Sequence, residues 1–149
     1  MYSHWTANLL VLIATMTTVA LAVLVHYEGL RWISARLEKP AGRVRRRKVL
    51  IGVYGVIVLH VAEIWLFGGA IWALLNIPDT GNIIGATYSG LLDAVYLSAT
   101  TFSTLGFGDL APIGPVRFLC GTEALSGFIL ITWSASFLYL EMREYWRRD

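Results

Sequence analysis

The chain has 149 residues, of which 56% are hydrophobic, and its mean hydropathy is +0.61. This composition is too apolar for an ordinary soluble domain and favours a membrane protein. The net charge of +2 hides an asymmetry, because most of the basic residues lie at positions 31–48. That basic run abuts an apolar stretch and lacks interleaved aromatic residues, which favours anionic lipid headgroups over nucleic acid as its partner.

The first apolar stretch, at about residues 6–27, is long enough to cross a hydrocarbon core. A secretory signal peptide would carry a preceding basic residue and a small-residue cleavage site after Val25, so we expect a retained helix instead. Residues 1–30 are assigned to this transmembrane helix and residues 31–48 to a basic cytoplasmic linker. Within that linker, Pro40 is expected to end the helix near residues 36–39.

The second apolar stretch predicts an outer helix at residues 49–75, followed by a turn-rich loop around Pro78. Positively charged residues in short loops stay on the cytoplasmic side. The linker and the tail at residues 142–149 are therefore expected inside, with the N-terminus and the segment 76–112 outside. The expected location is the cell membrane, which the chain crosses several times.

Residues 91–103 are mostly apolar and compatible with a helix. At about 1.5 Å per residue, that helix is too short to cross a membrane. Ser89 or Asp93 is expected to cap its start or stabilise it by charge. A helix that stops midway through the membrane must be followed by a segment that returns to the side from which the helix entered. The non-helical backbone of that segment is tolerated at depth only where it lines a polar path or is buried in protein.

Residues 104–109 read Thr-Leu-Gly-Phe-Gly-Asp, the pattern of a cation filter that replaces hydration water with backbone carbonyl oxygens. Gly106 and Gly108 reach, without a Cβ penalty, the backbone angles that turn successive carbonyls toward one axis. Thr104 is expected to add its hydroxyl at the inner end. Asp109 is expected to attract cations at the outer mouth.

The third apolar stretch predicts an inner helix at residues 113–141, which Pro112 and Pro115 begin. Its single cysteine, Cys120, is interpreted as a small buried hydrophobic residue.

Outer helix, re-entrant helix, Thr-Leu-Gly-Phe-Gly-Asp and inner helix together resemble the pore module of the potassium-channel superfamily over residues 49–141. The resemblance implies an all-α membrane protein with three transmembrane helices, a re-entrant pore helix and a selectivity filter. It also implies a homotetramer, because one chain supplies one of the four filter segments. The K⁺ ligands that it implies are the carbonyls of Thr104, Leu105, Gly106 and Phe107, with Gly108 completing the outer turn.

Two positions depart from the commoner family pattern. Phe107 stands where a tyrosine hydroxyl usually ties the filter to the pore helix, and phenylalanine cannot form that hydrogen bond. Thr100 stands where some members carry a carboxylate that pairs with the filter aspartate, so Asp109 is expected to lack that partner. Gly-Phe-Gly occurs in working members, notably two-pore-domain channels, so selectivity for potassium stays the favoured interpretation.

The inner helix carries a glycine, Gly127, about where the family has a hinge; the alternative is a glycine that lets helices approach closely. If the helix follows family geometry, Phe128, Ile131, Thr132 and Ala135 face the cavity. Phe128 or Ile131 is then a candidate dewetting gate.

Three ionisable residues, His60, Glu63 and Glu123, lie at mid-depth in the second and third apolar stretches, where charge is costly. His60 and Glu63 are three residues apart and share a helix face. One interpretation is a proton or metal sensor. The favoured one is that each bonds to Ser, Thr or backbone of the pore helix and braces the filter. His26 is placed at the cytoplasmic boundary without a role.

The leading functional hypothesis is a homotetrameric, potassium-selective channel that conducts passively, with no cofactor, small-molecule substrate or nucleic acid. One alternative is a non-selective cation or sodium channel, in which Phe107 permits a wider filter. Another is a non-conducting membrane adaptor whose basic linker binds lipid or a partner. An enzyme is not expected, because no nucleophile and base lie at a recognisable spacing.

Overall fold

The computed structural model describes residues 2–37, 45–85 and 90–146. Within them, the elements in chain order are α1 (Tyr2–Leu37), α2 (Arg45–Leu75), β1 (Asn82–Ile84), α3 (Leu91–Phe102), β2 (Ala111–Ile113) and α4 (Arg117–Trp146). Three helices are long and apolar enough to cross a membrane, over Trp5–Leu37, Arg47–Leu75 and Arg117–Arg143. The predicted architecture, with one short apolar helix between the second and third spans, is confirmed.

The short helix α3 packs between α2 and α4, and α1 packs against both of those long helices. The largest buried side chains around α3 come from α2, from α3 itself and from α4: Phe67, Ile71, Phe102, Leu119 and Leu130. Val11 and Ala22 of α1 belong to the same buried cluster. The first helix is therefore part of one packed body with the elements that follow it.

Buried polar contacts connect the ends of the long helices. Thr80 is fully buried, and its hydroxyl donates to the carbonyls of Leu74 and Ile77 beyond the last turn of α2. The Val116 amide donates to the Thr80 carbonyl at 2.8 Å. These bonds satisfy carbonyls that the end of a helix leaves without a partner, and they fix where α4 begins.

The ends of the long helices nearest the basic residues are also connected. The Lys48 ammonium donates to the Leu37 carbonyl at 2.7 Å, where a cation is favourable at a helix C-terminus. The Ser34 hydroxyl of α1 donates to the Glu141 carboxylate of α4 at 3.1 Å.

A two-stranded antiparallel sheet, which the sequence did not predict, brackets α3. The register pairs Asn82 with Ile113, Ile83 with Pro112, and Ile84 with Ala111. Proline lacks an N–H, and a strand at a sheet edge tolerates that loss. Pro112 therefore lies in β2 and does not begin the last helix as predicted.

The start of α4 also differs from the prediction. The helix begins at Arg117, four residues after the predicted start at 113. Pro115 lies in the turn before it, and its carbonyl accepts from the Phe118 amide at 3.0 Å.

The predicted linker at residues 31–48 is helical at both ends, because α1 continues to Leu37 and α2 begins at Arg45. Pro40, between them, lies outside the described residues. The predicted tail at residues 142–149 begins as helix, since α4 continues to Trp146.

Candidate functional site

The helix α3 is capped at both ends. At its start, the Gly90 amide donates to the Asp93 carboxylate at 3.1 Å, and negative charge is favourable there. Ser89, the other predicted cap, lies outside the described residues. At its end, the amide and hydroxyl of Ser103 both donate to the Ala99 carbonyl. The helix therefore stops immediately before the predicted filter at residues 104–109.

The backbone of residues 104–109 alternates between two conformations. Thr104, Gly106 and Gly108 have φ angles of +58°, +53° and +83°, whereas the residues between them do not have positive φ. An extended strand points its carbonyls alternately to opposite sides, and alternating the sign of φ allows them to turn to one side. A β-branched residue at positive φ is strained, and such strain concentrates at functional sites.

Hydrogen bonds attach the inner half of this segment to the last turn of α3. The Thr104 amide donates to the Thr101 carbonyl at 2.9 Å, and the Gly106 amide donates to the Thr100 carbonyl at 3.1 Å. These are carbonyls that a helix end otherwise leaves unpaired. The inner half of the segment is thereby held at a fixed position relative to α3.

The outer end of the segment is held by a tyrosine that the sequence interpretation missed. The Tyr96 hydroxyl donates to the Asp109 carboxylate at 2.8 Å, and this bond raises the pKa of Tyr96 above its ordinary value by stabilising the neutral phenol. Thr100 donates to its own helix at the Leu97 carbonyl instead. The partner of Asp109 on α3 is therefore a phenol and not a carboxylate. Tyr96 lies four residues before Thr100, on the same face of the helix.

The side chains of the segment are uncovered in a single chain. Leu105 is 64% exposed and Phe107 is 68% exposed. Beside them an open groove of about 530 Å³ has Thr100, Cys120 and Ala124 in its wall. The chain therefore carries both protruding apolar side chains and an open groove next to the same six residues.

Gly127 of α4 lies against the end of α3. A Cβ built at this position would lie 2.2 Å from the Phe102 carbonyl oxygen, which is too close for any side chain. Of the two interpretations of this glycine, the geometry supports close approach of helices. A hinge role for Gly127 stays a prediction.

The residues predicted to face a cavity lie on one face of α4, at positions 128, 131, 132 and 135. All four are exposed in the single chain, Phe128 at 59% and Ile131 at 37%. This face is turned away from the buried cluster around α3. The gate role of Phe128 or Ile131 stays a prediction.

Glu63 is fully buried, and its two carboxylate oxygens contact two imidazoles. The Nδ1 atoms of His26 and His60 lie 2.8 and 2.9 Å from them. The sequence predicted that His60 and Glu63 bond to the pore helix. That prediction is wrong, because Glu63 bonds to His60 and to His26 of α1 instead. His26 is fully buried. It lies 37 residues from Glu63, so the spacing of the sequence gave no sign of the contact.

Glu123 is also fully buried, but it bonds to the pore helix. The Ser98 hydroxyl of α3 contacts both the Glu123 carboxylate and the Ile64 carbonyl of α2. Among the described residues, the second carboxylate oxygen, Oε2, has no hydrogen-bond partner. Glu123 is thus placed as the bracing interpretation expects, whereas His26, His60 and Glu63 form a cluster of their own.

Residues 59–143, more than half of the chain, match the family model described as "Ion channel". Protein LctB of Geobacillus stearothermophilus is 34% identical over 82 residues, which cover 55% of this chain and 61% of that protein. Potassium channel K1 of Plasmodium berghei is 33% identical over 84 residues, 56% of this chain and 4% of that protein. The inward rectifier potassium channel Kirbac3.1 of Paramagnetospirillum magnetotacticum is 32% identical over 85 residues, 56% of this chain and 29% of that protein.

The chain therefore spans less than two thirds of the length of these relatives. No solved structure gives a significant match. The match to the family model contains most of α2, all of α3, the segment 104–109 and most of α4. The chain belongs to the ion-channel family and is a multi-pass membrane protein that carries the pore module of the potassium-channel superfamily behind an additional N-terminal helix.

Proposed function

We propose that this protein is a potassium-selective channel that passes K⁺ passively through four copies of residues 104–109. The observation that carries the proposal is the positive φ at Thr104, Gly106 and Gly108, in a segment that follows a helix too short to cross the membrane. Carbonyl oxygens on a backbone of this kind can replace the hydration shell of a cation. The Thr104 hydroxyl adds one more oxygen at the inner end.

Four copies are proposed because one six-residue segment cannot surround an ion. The exposed Leu105 and Phe107 and the open groove beside them are different surfaces of the same chain. When one such surface binds the other on the next copy, the contact is heterologous, and a closed ring results if the rotation is fourfold. Each filter segment would then be braced by the neighbouring chain, through apolar contacts that need no tyrosine hydroxyl at position 107.

Charge near the two ends of the segment supports a cation as the permeant species. The Asp109 carboxylate lies at the outer end, close to Tyr96. The C-terminal end of α3 carries the negative end of the helix dipole, and the segment 104–109 begins there. Both features attract cations and repel anions.

The proposed topology follows the basic residues. The N-terminus lies outside, and the C-terminus and the basic stretch at residues 31–48 lie on the cytoplasmic side of the cell membrane. Anionic lipid headgroups are the proposed partners of that stretch, at about 1 kcal/mol for each basic residue near the surface.

The test is ion flux through the purified chain in liposomes under a potassium gradient. We expect K⁺ flux that Ba²⁺ blocks, and a reversal potential near the potassium equilibrium value in mixed sodium and potassium. A reversal potential near zero would establish the non-selective alternative, in which Phe107 allows a wider filter. Absence of flux at every pH and voltage applied would favour the adaptor and overturn the proposal.

A further inference from the structure

His26, His60 and Glu63 form a buried polar cluster that connects α1 to α2 and is separate from the residues proposed to conduct ions. We propose that this cluster is a binding site for a divalent transition-metal ion of the Zn²⁺ class. One ligand atom from each of the three side chains lies within 4.8 Å of the others. The site would hold the first helix to the pore module through a coordinated ion.

The donor set determines which ions fit. Two imidazole nitrogens and one carboxylate oxygen make up a set that binds Zn²⁺ in proteins, with the fourth tetrahedral position left for water. Mg²⁺ and Ca²⁺ prefer oxygen ligands throughout and are poorly served by two imidazoles. The permeant ion K⁺ is likewise excluded, since it is bound by carbonyl oxygens in the proposed pore.

The distances require only small rotations of the side chains. Ligand atoms in a tetrahedral Zn²⁺ site are about 3.4 Å apart, because each lies about 2.0–2.2 Å from the metal. In the structure, the Nδ1 atoms of His26 and His60 lie 2.8 and 2.9 Å from the Glu63 oxygens. The metal would replace the hydrogen bonds at these same atoms, so the ligands are already gathered before the ion arrives.

The surroundings of the imidazoles suit coordination through Nδ1. With the metal on Nδ1, the proton of His26 moves to Nε2, which lies 3.5 Å from the Ser134 hydroxyl. A hydrogen bond from the far nitrogen is the usual support of a metal-bound histidine. The ring of His26 also lies 5.1 Å from that of Trp133, and the ring of His60 lies 5.7 Å from that of Phe102, so both planes are held by aromatic neighbours.

Burial shields the site from bulk solvent. The side chains of His26 and Glu63 are fully buried, whereas the side chain of His60 is 17% exposed. Binding to the folded state alone would raise stability by mass action as the metal concentration exceeds the dissociation constant.

The experiment uses the full chain in detergent, first stripped with a chelator and then titrated with ZnCl₂ or CoCl₂. We expect one Zn²⁺ per chain, a higher midpoint of thermal unfolding, and the visible absorption of tetrahedral Co²⁺. His26→Gln and Glu63→Gln are expected to weaken binding by more than about 100-fold, and Ser134→Ala by about tenfold. Glu123→Gln removes the other buried carboxylate and is the matched control, with affinity equal to that of the original chain.

Zn²⁺ binding that survives His26→Gln or Glu63→Gln unchanged would overturn the assignment. Failure of the original chain to bind Zn²⁺ would also overturn it, and loss of a pH response of flux in His26→Gln would then assign proton sensing to the cluster. If Glu63→Gln does not fold, His60→Gln removes the partly exposed ligand and carries the same expectation. Metal binding is measured without ion flux, so its outcome is independent of whether the chain conducts K⁺.

Discussion

At residues 104–109, three alternate positions have left-handed backbone, and only two of them are glycine. Thr104 holds a conformation that costs an L-residue with a Cβ about 1–2 kcal/mol. Its amide bond to the Thr101 carbonyl and the bond from Gly106 to Thr100 maintain that conformation. The segment is therefore shaped by α3 and not by the preferences of its own residues alone.

Gly106→Ala is expected to abolish K⁺ flux. A Cβ at Gly106 would have no atom within 4 Å in the single chain, so its cost there comes from the φ of +53° and not from crowding. The measurement is flux from liposomes that contain equal amounts of assembled protein. Gly69→Ala is the control, because α2 is open at that position and lies outside the groove proposed to contact the next copy. Unchanged flux in Gly106→Ala would rule out carbonyl coordination at this residue.

Tyr96→Phe is expected to make K⁺ flux decline faster with time, because it removes the donor that holds Asp109 beside α3. In the original chain, this bond raises the pKa of Tyr96 above 10.0, so its stabilisation is fully present below that pH and is lost as pH rises through the raised value. Flux decay is measured at neutral pH against Tyr139→Phe, an exposed tyrosine of α4. Equal decay in both variants would show that the bond has no part in holding the outer end.

The helix α3 is fixed by contacts of two different kinds. Ser98 connects the Ile64 carbonyl of α2 with the Glu123 carboxylate of α4. One turn further along α4, Gly127 allows that helix to touch the last residue of α3, Phe102. A polar bridge and a backbone contact together determine where the filter segment starts.

Gly127→Ala is expected to lower stability by about 1–3 kcal/mol, because the added methyl group meets backbone and the helices must separate. We also expect reduced K⁺ flux, since α3 moves with its last residue. The measurement is the thermal unfolding midpoint in detergent, compared with Gly69→Ala of α2, where an added Cβ meets no atom within 4 Å. A midpoint equal to or above that of the control would contradict the contact.

The spanning helices could be predicted because length and apolarity alone identify them, and α3 could be predicted because an apolar helix too short to cross must turn back. The sheet could not be predicted. Its two three-residue strands lie on opposite sides of α3 in the sequence, and neither shows an alternating pattern long enough to detect. The start of α4 was misplaced for the same reason, since Pro112 reads as a helix start unless its strand partner, Ile83, is known.

Residues 104–109 could be predicted as a site from their own order, because the chemistry depends on consecutive backbone groups. The cluster of His26, His60 and Glu63 could be predicted only in part. Spacing of three residues puts His60 and Glu63 on one helix face, but the approach of α1 that brings His26 to them follows from tertiary packing.

At the scale of the whole molecule, the single chain leaves the surface around residues 104–109 exposed. Leu105 and Phe107 are apolar and more than half exposed, beside a groove of about 530 Å³. A monomer would leave most of the surface of these side chains without protein contacts. The proposed ring buries them against neighbouring copies.

Native mass spectrometry of the detergent-released protein is expected to give four times the 16.6 kDa of one chain. Phe107→Ala should shift the distribution toward smaller species, because it removes a large apolar contact between copies. Leu9→Ala, at an exposed apolar residue of α1, should leave the distribution unchanged. A predominant dimer or trimer would exclude fourfold closure.

The hydrogen bond between Ser34 and Glu141 ties the first helix to α4. Glu141 lies near the C-terminal end of α4, and Phe128 and Ile131 come earlier on the same helix. A lateral movement of this end of α4 must either move α1 with it or break the hydrogen bond between Ser34 and Glu141. We therefore expect α1 to restrain movement at this end of α4. Deleting the part of α1 before Ser34 would remove most of its packing against α4, whereas removing the serine hydroxyl would remove only this hydrogen bond.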